Sequence, residues 1–182
     1  MIMKVKEIGK KLLIYFGLGS NLGNRLQNLR SALDMLKSFG NVLKVSDVFE
    51  TEAWGGVEQP DYLNACVKIE CQNNLTPPEI LSQIKNFERT IGRVNSVRWG
   101  ARKIDIDILL IDDLIFHYQS NSHSHSEDLD VPHIRIPERL FVLVPLSQIV
   151  PSTWKHPVNK KSIPEMMSEI EGEPMPLRVV CL

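Results

Sequence analysis

Tyr62-Leu-Asn-Ala-Cys-Val-Lys-Ile-Glu-Cys71 alternates with a period of two. Leu63, Ala65, Val67 and Ile69 fall on one face, and Tyr62, Asn64, Lys68 and Glu70 on the other. That is the pattern of an antiparallel strand covered on a single side. Just downstream, Thr76-Pro-Pro-Glu79 holds a capping box with proline at the first helical position. Ile80, Ile84, Phe87 and Ile91 continue it as an apolar helical stripe ending at Gly92. Ile104-Asp-Ile-Asp-Ile-Leu-Leu-Ile111 then reads as a further strand. Upstream, Val42–Thr51 is a strand rich in valine, and Leu12–Leu18 is a buried strand. Between them, Arg25–Lys37 spaces Leu26, Leu29, Leu33 and Leu36 as a helix, with Gly40 in the place of a C-cap. Two more helices are expected over Glu138–Gln148 and Ile163–Ile170.

The order strand, helix, strand, strand, helix, strand is the split βαβ arrangement. The expected fold is therefore α+β: a ferredoxin-like βαββαβ core, an antiparallel sheet with helices on one face, and a C-terminal helical extension. The other sheet face is left free to bind something. The 182 residues suit one domain, with a core over about 12–170 and a Ser/His-rich insert over about 118–128. Hydrophobic residues at 43% and charged residues at 24% exclude a disordered or collagenous chain. A formal net charge of -1 argues against holding duplex nucleic acid by bulk charge. Cys66, Cys71 and Cys181 form no CxxC pattern and read as reduced thiols. Cys66 and Cys71 lie on opposite faces of one strand and cannot bridge locally. The basic start, Met1–Lys11, precedes too short an apolar run for a secretory leader, and no apolar run is long enough to span a membrane. A cytoplasmic monomer is expected.

Period two places Asp105 and Asp107 together on the face away from the helices, roughly 6–7 Å apart along the strand. Two like charges at that distance call for cations, and paired carboxylates are ligands for Mg²⁺. The upstream segment Gly92–Arg102 brings Arg93, Arg98 and Arg102 close to that pair. Arginine grips phosphate bidentately and keeps its charge. Carboxylates, metal and arginines are the equipment of phosphoryl transfer. Tyr62 and Asn64, one stacking and one hydrogen bonding, can hold a flat heterocycle. Phe141 taken alone is a core residue, and His133 taken alone is structural. His117, His123 and His125 lack a fixed metal geometry. Gly17-Leu-Gly-Ser-Asn-Leu-Gly23 has the spacing GxGxxxG rather than a dinucleotide fingerprint, and there is no P-loop.

Taken together, four segments resemble the 6-hydroxymethyl-7,8-dihydropterin pyrophosphokinase family. They are Gly17–Gly23, Gln59-Pro-Asp-Tyr-Leu-Asn64, Arg98-Trp-Gly-Ala-Arg-Lys-Ile-Asp-Ile-Asp-Ile-Leu109, and Val131-Pro-His133 with Arg139-Leu-Phe-Val-Leu-Val-Pro-Leu146. The resemblance spans roughly residues 12–170. It implies transfer of the β,γ-diphosphoryl group of ATP to the pterin hydroxymethyl group, with release of AMP, in folate biosynthesis. It implies two Mg²⁺ ions on Asp105 and Asp107, with Arg93 and Arg102 as catalytic arginines. On the ATP side it implies Glu88, Arg93, Arg98, Trp99, Arg102, His133 and Arg139. On the pterin side it implies Thr51, Trp54, Tyr62, Asn64 and Phe141, the two rings Tyr62 and Phe141 sandwiching the pterin. The partners implied are small molecules, ATP and hydroxymethyl-dihydropterin, with no nucleic acid and no membrane. Departures from the family pattern are Ala101 and Lys103 for proline and threonine, Asn95-Ser96 where relatives often add basic residues, Lys85 for glutamine and Ile134 for tyrosine. The competing expectation is a ferredoxin-like RNA- or nucleotide-binding module without catalysis.

Overall fold

The structure is a computed structural model that describes residues 11–53, 59–71, 75–92, 100–119 and 128–182. Among these, β1 (Leu12–Ser20), α1 (Arg25–Leu36), β2 (Gly40–Val45), β3 (Asp47–Thr51), β4 (Tyr62–Cys71), α2 (Pro77–Ile91) and β5 (Asp105–Ile111) form the expected core, except that the single strand expected over Val42–Thr51 is divided at Ser46 into β2 and β3. With a last strand β8 (Leu177–Cys181), the sheet order is β5-β1-β4-β3-β8, with β2 also on β4 and every pairing antiparallel. The strand at the centre of the sequence reading, β4, keeps its bounds at Tyr62 and Cys71. Thr76 and Glu79 close their capping box at the start of α2, and Gly92 ends that helix in the left-handed region at φ 102°. Gly40 instead follows a 3₁₀ turn, Lys37–Phe39, inserted after α1.

The core lies between the sheet and the two helices α1 and α2. Leu29, Ala32 and Leu36 of α1 and Ile80 and Ile84 of α2 meet Ile14, Phe16, Ala65, Val67, Ile106 and Ile108. The alternation of β4 therefore reports true burial: its odd-numbered residues fill this layer, whereas Cys66 belongs to a second cluster. Burial pushes the Cys66 thiol up, so it stays neutral and inert.

Three features depart from the expected layout. The core helices α1 and α2 keep to one face, but the C-terminal helices cover part of the other. α3 (Leu140–Ser147) and α4 (Ile163–Met167) pack on the second face through Leu143, Leu146, Ile163 and Met166. That face is open only at one end. Next, unbroken period-two alternation along β5 would put Leu110 beside Ile108 in the helix-covered layer, but it packs with Tyr15 and Cys66. The cause is a bulge: Phe16 faces Ile108 while Tyr15 faces Leu110, so Leu109 is extra and the alternation flips after it. Lastly, the chain ends in a strand. β8 (Leu177–Cys181) pairs with β3, and a short hairpin of β6 (Phe116–Tyr118) and β7 (Leu129–Val131) flanks the Ser/His-rich insert.

The loop after α3 is stapled by a buried imidazole. His156 is 5% exposed, and its Nδ1 accepts from the backbone N–H groups of Asn159 at 3.3 Å and Val158 at 3.4 Å. Its Nε2 has no partner among the described residues. Burial, and then the Lys160 charge, hold its pKa below the ordinary 6.5. The unfolded chain thus takes up a proton near pH 6.5 that the native state refuses. The stabilisation is complete above that pH and is lost as pH falls toward the depressed native pKa. Urea midpoints are expected to fall from about pH 7.5 to about pH 5.5, and more steeply than in His156→Leu. Equal slopes in both proteins would remove His156 from the account.

Candidate active site

A cleft opens where α3 stops covering the second sheet face, with about 850 Å³ of empty space including its mouth. Its floor is the end of β1. Gly17 and Gly19 point into it by the period of the strand, and neither has a side chain to fill it. The ladder puts Gly17 between Cys66 of β4 and Asp107 of β5. It puts Gly19 between Asn64 and Asp105. The two glycines thus separate an amide and aromatic wall on β4 from a carboxylate wall on β5.

On the carboxylate side, Arg102 Nη1 donates to Asp105 Oδ2 at 2.7 Å. Burial works against the Arg102 charge, but Asp105, Tyr62 and Asp107 together outweigh it and raise the pKa. The guanidinium is therefore held firmly cationic. Its backbone is fixed as well: Arg102 N–H donates to Asn21 Oδ1 at 2.6 Å, and Asn21 N–H to the Arg102 carbonyl at 3.0 Å. The Asn21 amide also donates to Gln59 Oε1 at 3.0 Å and to the Pro60 carbonyl at 3.1 Å. One buried asparagine thus ties the segment bearing Arg102 to the segment entering β4.

On the amide side, Asn64 Nδ2 donates to Thr51 Oγ1 at 2.8 Å, which fixes the amide so that Oδ1 faces the floor over Gly19. Tyr62 stands beside it. Phe141 comes from α3 across the cleft, with the Arg139 guanidinium 5.3 Å from its ring. Burial lowers the Arg139 pKa, against the pull of Asp107.

Of the residues expected from sequence, Thr51, Tyr62, Asn64, Arg102, Asp105, Asp107, Arg139 and Phe141 all line this one cleft. Glu88 does not. It is buried in the helix-covered layer, where its carboxylate accepts from Ile106 N–H at 2.8 Å and pairs with Lys85 at 3.0 Å. It braces β5 from behind, between the two aspartates. His133 is also absent from the lining. Its N–H donates to the Leu109 carbonyl at 2.9 Å, and its Nδ1 accepts from Arg135 N–H at 3.2 Å. Trp54, Arg93, Arg98 and Trp99 lie outside the described residues.

The sequence reading passed over Gly17, Gly19, Gln59 and Asn21 as site residues. The signal was present for the glycines, because glycine inside an apolar strand marks a close approach to something.

The profile of 7,8-dihydro-6-hydroxymethylpterin-pyrophosphokinase (HPPK) matches residues 15–151. The chain belongs to this family. The 2-amino-4-hydroxy-6-hydroxymethyldihydropteridine pyrophosphokinase of Aquifex aeolicus is 36% identical over 156 residues, 86% of this chain and 91% of that protein. The Bacillus subtilis protein of the same name is 40% identical over 137 residues, 74% of this chain and 76% of that one. Among solved structures, a Plasmodium falciparum HPPK-DHPS superposes with a TM-score of 0.70 at 16% identity. It covers 90% of this chain but 45% of that longer protein, and it shows that the HPPK fold is shared. The alternative of an RNA-binding module is not favoured: the sheet face such modules use for stacking bases carries Asp105 and Asp107 here.

Proposed function

We propose that this cleft transfers the β,γ-diphosphoryl group of ATP to the hydroxymethyl group of 6-hydroxymethyl-7,8-dihydropterin, releasing AMP, in folate biosynthesis. One observation supports the reading most: a slot for a flat heterocycle and a pole for a polyphosphate meet across two glycines. Tyr62 and Phe141 offer rings to stack on, and Asn64, oriented by Thr51, offers hydrogen bonds to the heterocycle edge.

The substrate hydroxyl oxygen bonds to the β-phosphorus while the bond from that phosphorus to the α,β-bridging oxygen breaks. The bridging oxygen leaves with AMP, and the hydroxyl proton is lost to the medium. Arg102 stabilises the charge growing on the transferred group and on the leaving group, at no cost of reorganisation because Asp105 and Asn21 already hold it. Slot and pole fix the hydroxyl and the phosphorus relative to each other, which is most of what phosphoryl transfer asks of a protein. Asp105 and Asp107 fit Mg²⁺, which takes few protein carboxylates and fills its shell with water and substrate phosphate. We assign two Mg²⁺ to this pair; when bound they neutralise polyphosphate charge. Arg93, Arg98, Trp99, Trp54, His133 and Arg139 complete the assigned substrate contacts.

The enzyme is proposed to act as a cytoplasmic monomer of one domain, on small molecules alone. No helix among the described residues is long and apolar enough to cross a membrane. With ATP, Mg²⁺ and the hydroxymethyl-dihydropterin, the protein is expected to release AMP in step with pterin consumed. Release of ADP, or no turnover, would overturn the reading.

A further inference from the structure

The ring of Phe141 rides on a helix that is weakly held by its own bonds. α3 spans eight residues, Leu140–Ser147, all apolar except the last, with Pro145 inside. Proline has no N–H, so the bond that would return to the carbonyl four residues back, that of Phe141 itself, is missing. Apolar packing against Leu109 is non-directional, and together with a weak bond from Cys66 Sγ to the Val142 carbonyl at 4.0 Å it does not by itself fix how far the helix slides or turns.

Directional contacts exist at both ends, and both involve the C-terminal segment. At the start of α3, the N–H of Leu140 donates to Glu173 Oε2 at 3.2 Å, and the N-cap residue Arg139 offers no side-chain cap of its own. At the far end, Gln148 and Asp47 clasp each other: Asp47 N–H donates to Gln148 Oε1 at 2.8 Å, and Gln148 Nε2 donates to Asp47 Oδ2 at 3.0 Å. Asp47 is free for this because the strand bulges at Ser46. Four steps from Val45 to Phe49 span three on β4, which turns the Asp47 N–H out of the ladder. Arg178 of β8 locks the same carboxylate through Nε at 2.6 Å and Nη2 at 3.1 Å, and Cys181 Sγ donates at 3.2 Å. Gln148 lies seven positions beyond Phe141, nearly two whole turns, so both lie on one side of the helix. A clasp at Gln148 therefore sets the rotation and height of the Phe141 ring.

We infer that Asp47, Gln148, Arg178 and Glu173 are positioning residues for the heterocycle slot, holding α3, and with it Phe141, at a fixed distance from Tyr62 and Asn64. The inference rests on the pyrophosphokinase reading. It is tested by kinetics with each substrate varied in turn, in the wild type, Gln148→Met and Asp47→Ala. Gln148→Met keeps length and packing and leaves the Asp47–Arg178 pair intact, so it decides the matter should Asp47→Ala fail to fold. The expected result for Gln148→Met is a pterin KM raised roughly 5–20-fold, with kcat and the ATP KM within about twofold. An unchanged pterin KM, or equal rises for both substrates, overturns the positioning role. A wild-type protein that releases no AMP overturns the reading beneath it, and the inference with it.

Discussion

Asp107→Ala is expected to lower AMP release by about 10³-fold or more while the fold survives. The carboxylate lines the cleft rather than the core, and it stands opposite Gly17 with no side chain between it and the substrate space. Removing it takes away one half of the charge that holds cations against the polyphosphate. It relieves repulsion from Asp105 but gives up attraction to Arg102 and Arg139, so the unfolding midpoint should shift little. Asp105→Ala should be as damaging for two reasons at once. It removes the second ligand, and it releases the Arg102 guanidinium now held at 2.7 Å. The two variants separate these roles. Raised Mg²⁺ should recover part of the Asp107→Ala loss and little of the Asp105→Ala loss, because added metal does not reposition an arginine. AMP release and thermal melts are the measurements. Turnover within tenfold of the wild type in Asp107→Ala would remove the pair from the reaction.

How much of this was legible beforehand depended on whether a residue's role was written in a local period. The alternation of β4 and the DxD of β5 each state which face a side chain joins, so Tyr62, Asn64, Asp105 and Asp107 could be placed on one face before any fold was drawn. Phe141 could not: in an apolar octapeptide it looks like its neighbours, and only the family resemblance singled it out. β8 was missed because all five of its residues are exposed, so it has no buried face to produce a pattern, and its place is fixed by Asp47, far away in sequence. Leu110 was misplaced because a period-two rule cannot foresee the bulge at Leu109. Glu88 shows a different gap. An acidic position on a helix near the site was read as a substrate contact, whereas its carboxylate is spent on the β5 backbone.

The glycines of β1 carry the second large expected effect. Gly19 has room for little: a Cβ there would lie 3.3 Å from Asn64 Oδ1 and 3.6 Å from the Tyr62 ring. At Gly17 the nearest atoms to a Cβ belong to the Leu109 side chain at 3.4–3.5 Å, an ordinary contact. Gly19→Val would set two methyl groups between Asn64 and Asp105, where the slot for the heterocycle joins the pole for the polyphosphate. The expected loss in kcat/KM is about 10²–10³-fold, a shift of roughly 3–4 kcal/mol in transition-state binding. Gly17→Ala should cost less than about tenfold. Stability should change far less. A β-branched residue in a central strand suits the pleat and removes the entropy that glycine loses on folding, while the tight contact with Asn64 works against it, so Gly19→Val should melt close to the wild type. Loss of activity with stability kept is the signature of a strand left bare for its ligand. If Gly19→Val instead turns over at the wild-type rate, the substrates do not cross this floor. If it unfolds, the glycine serves packing and the cleft has been assigned the wrong bottom.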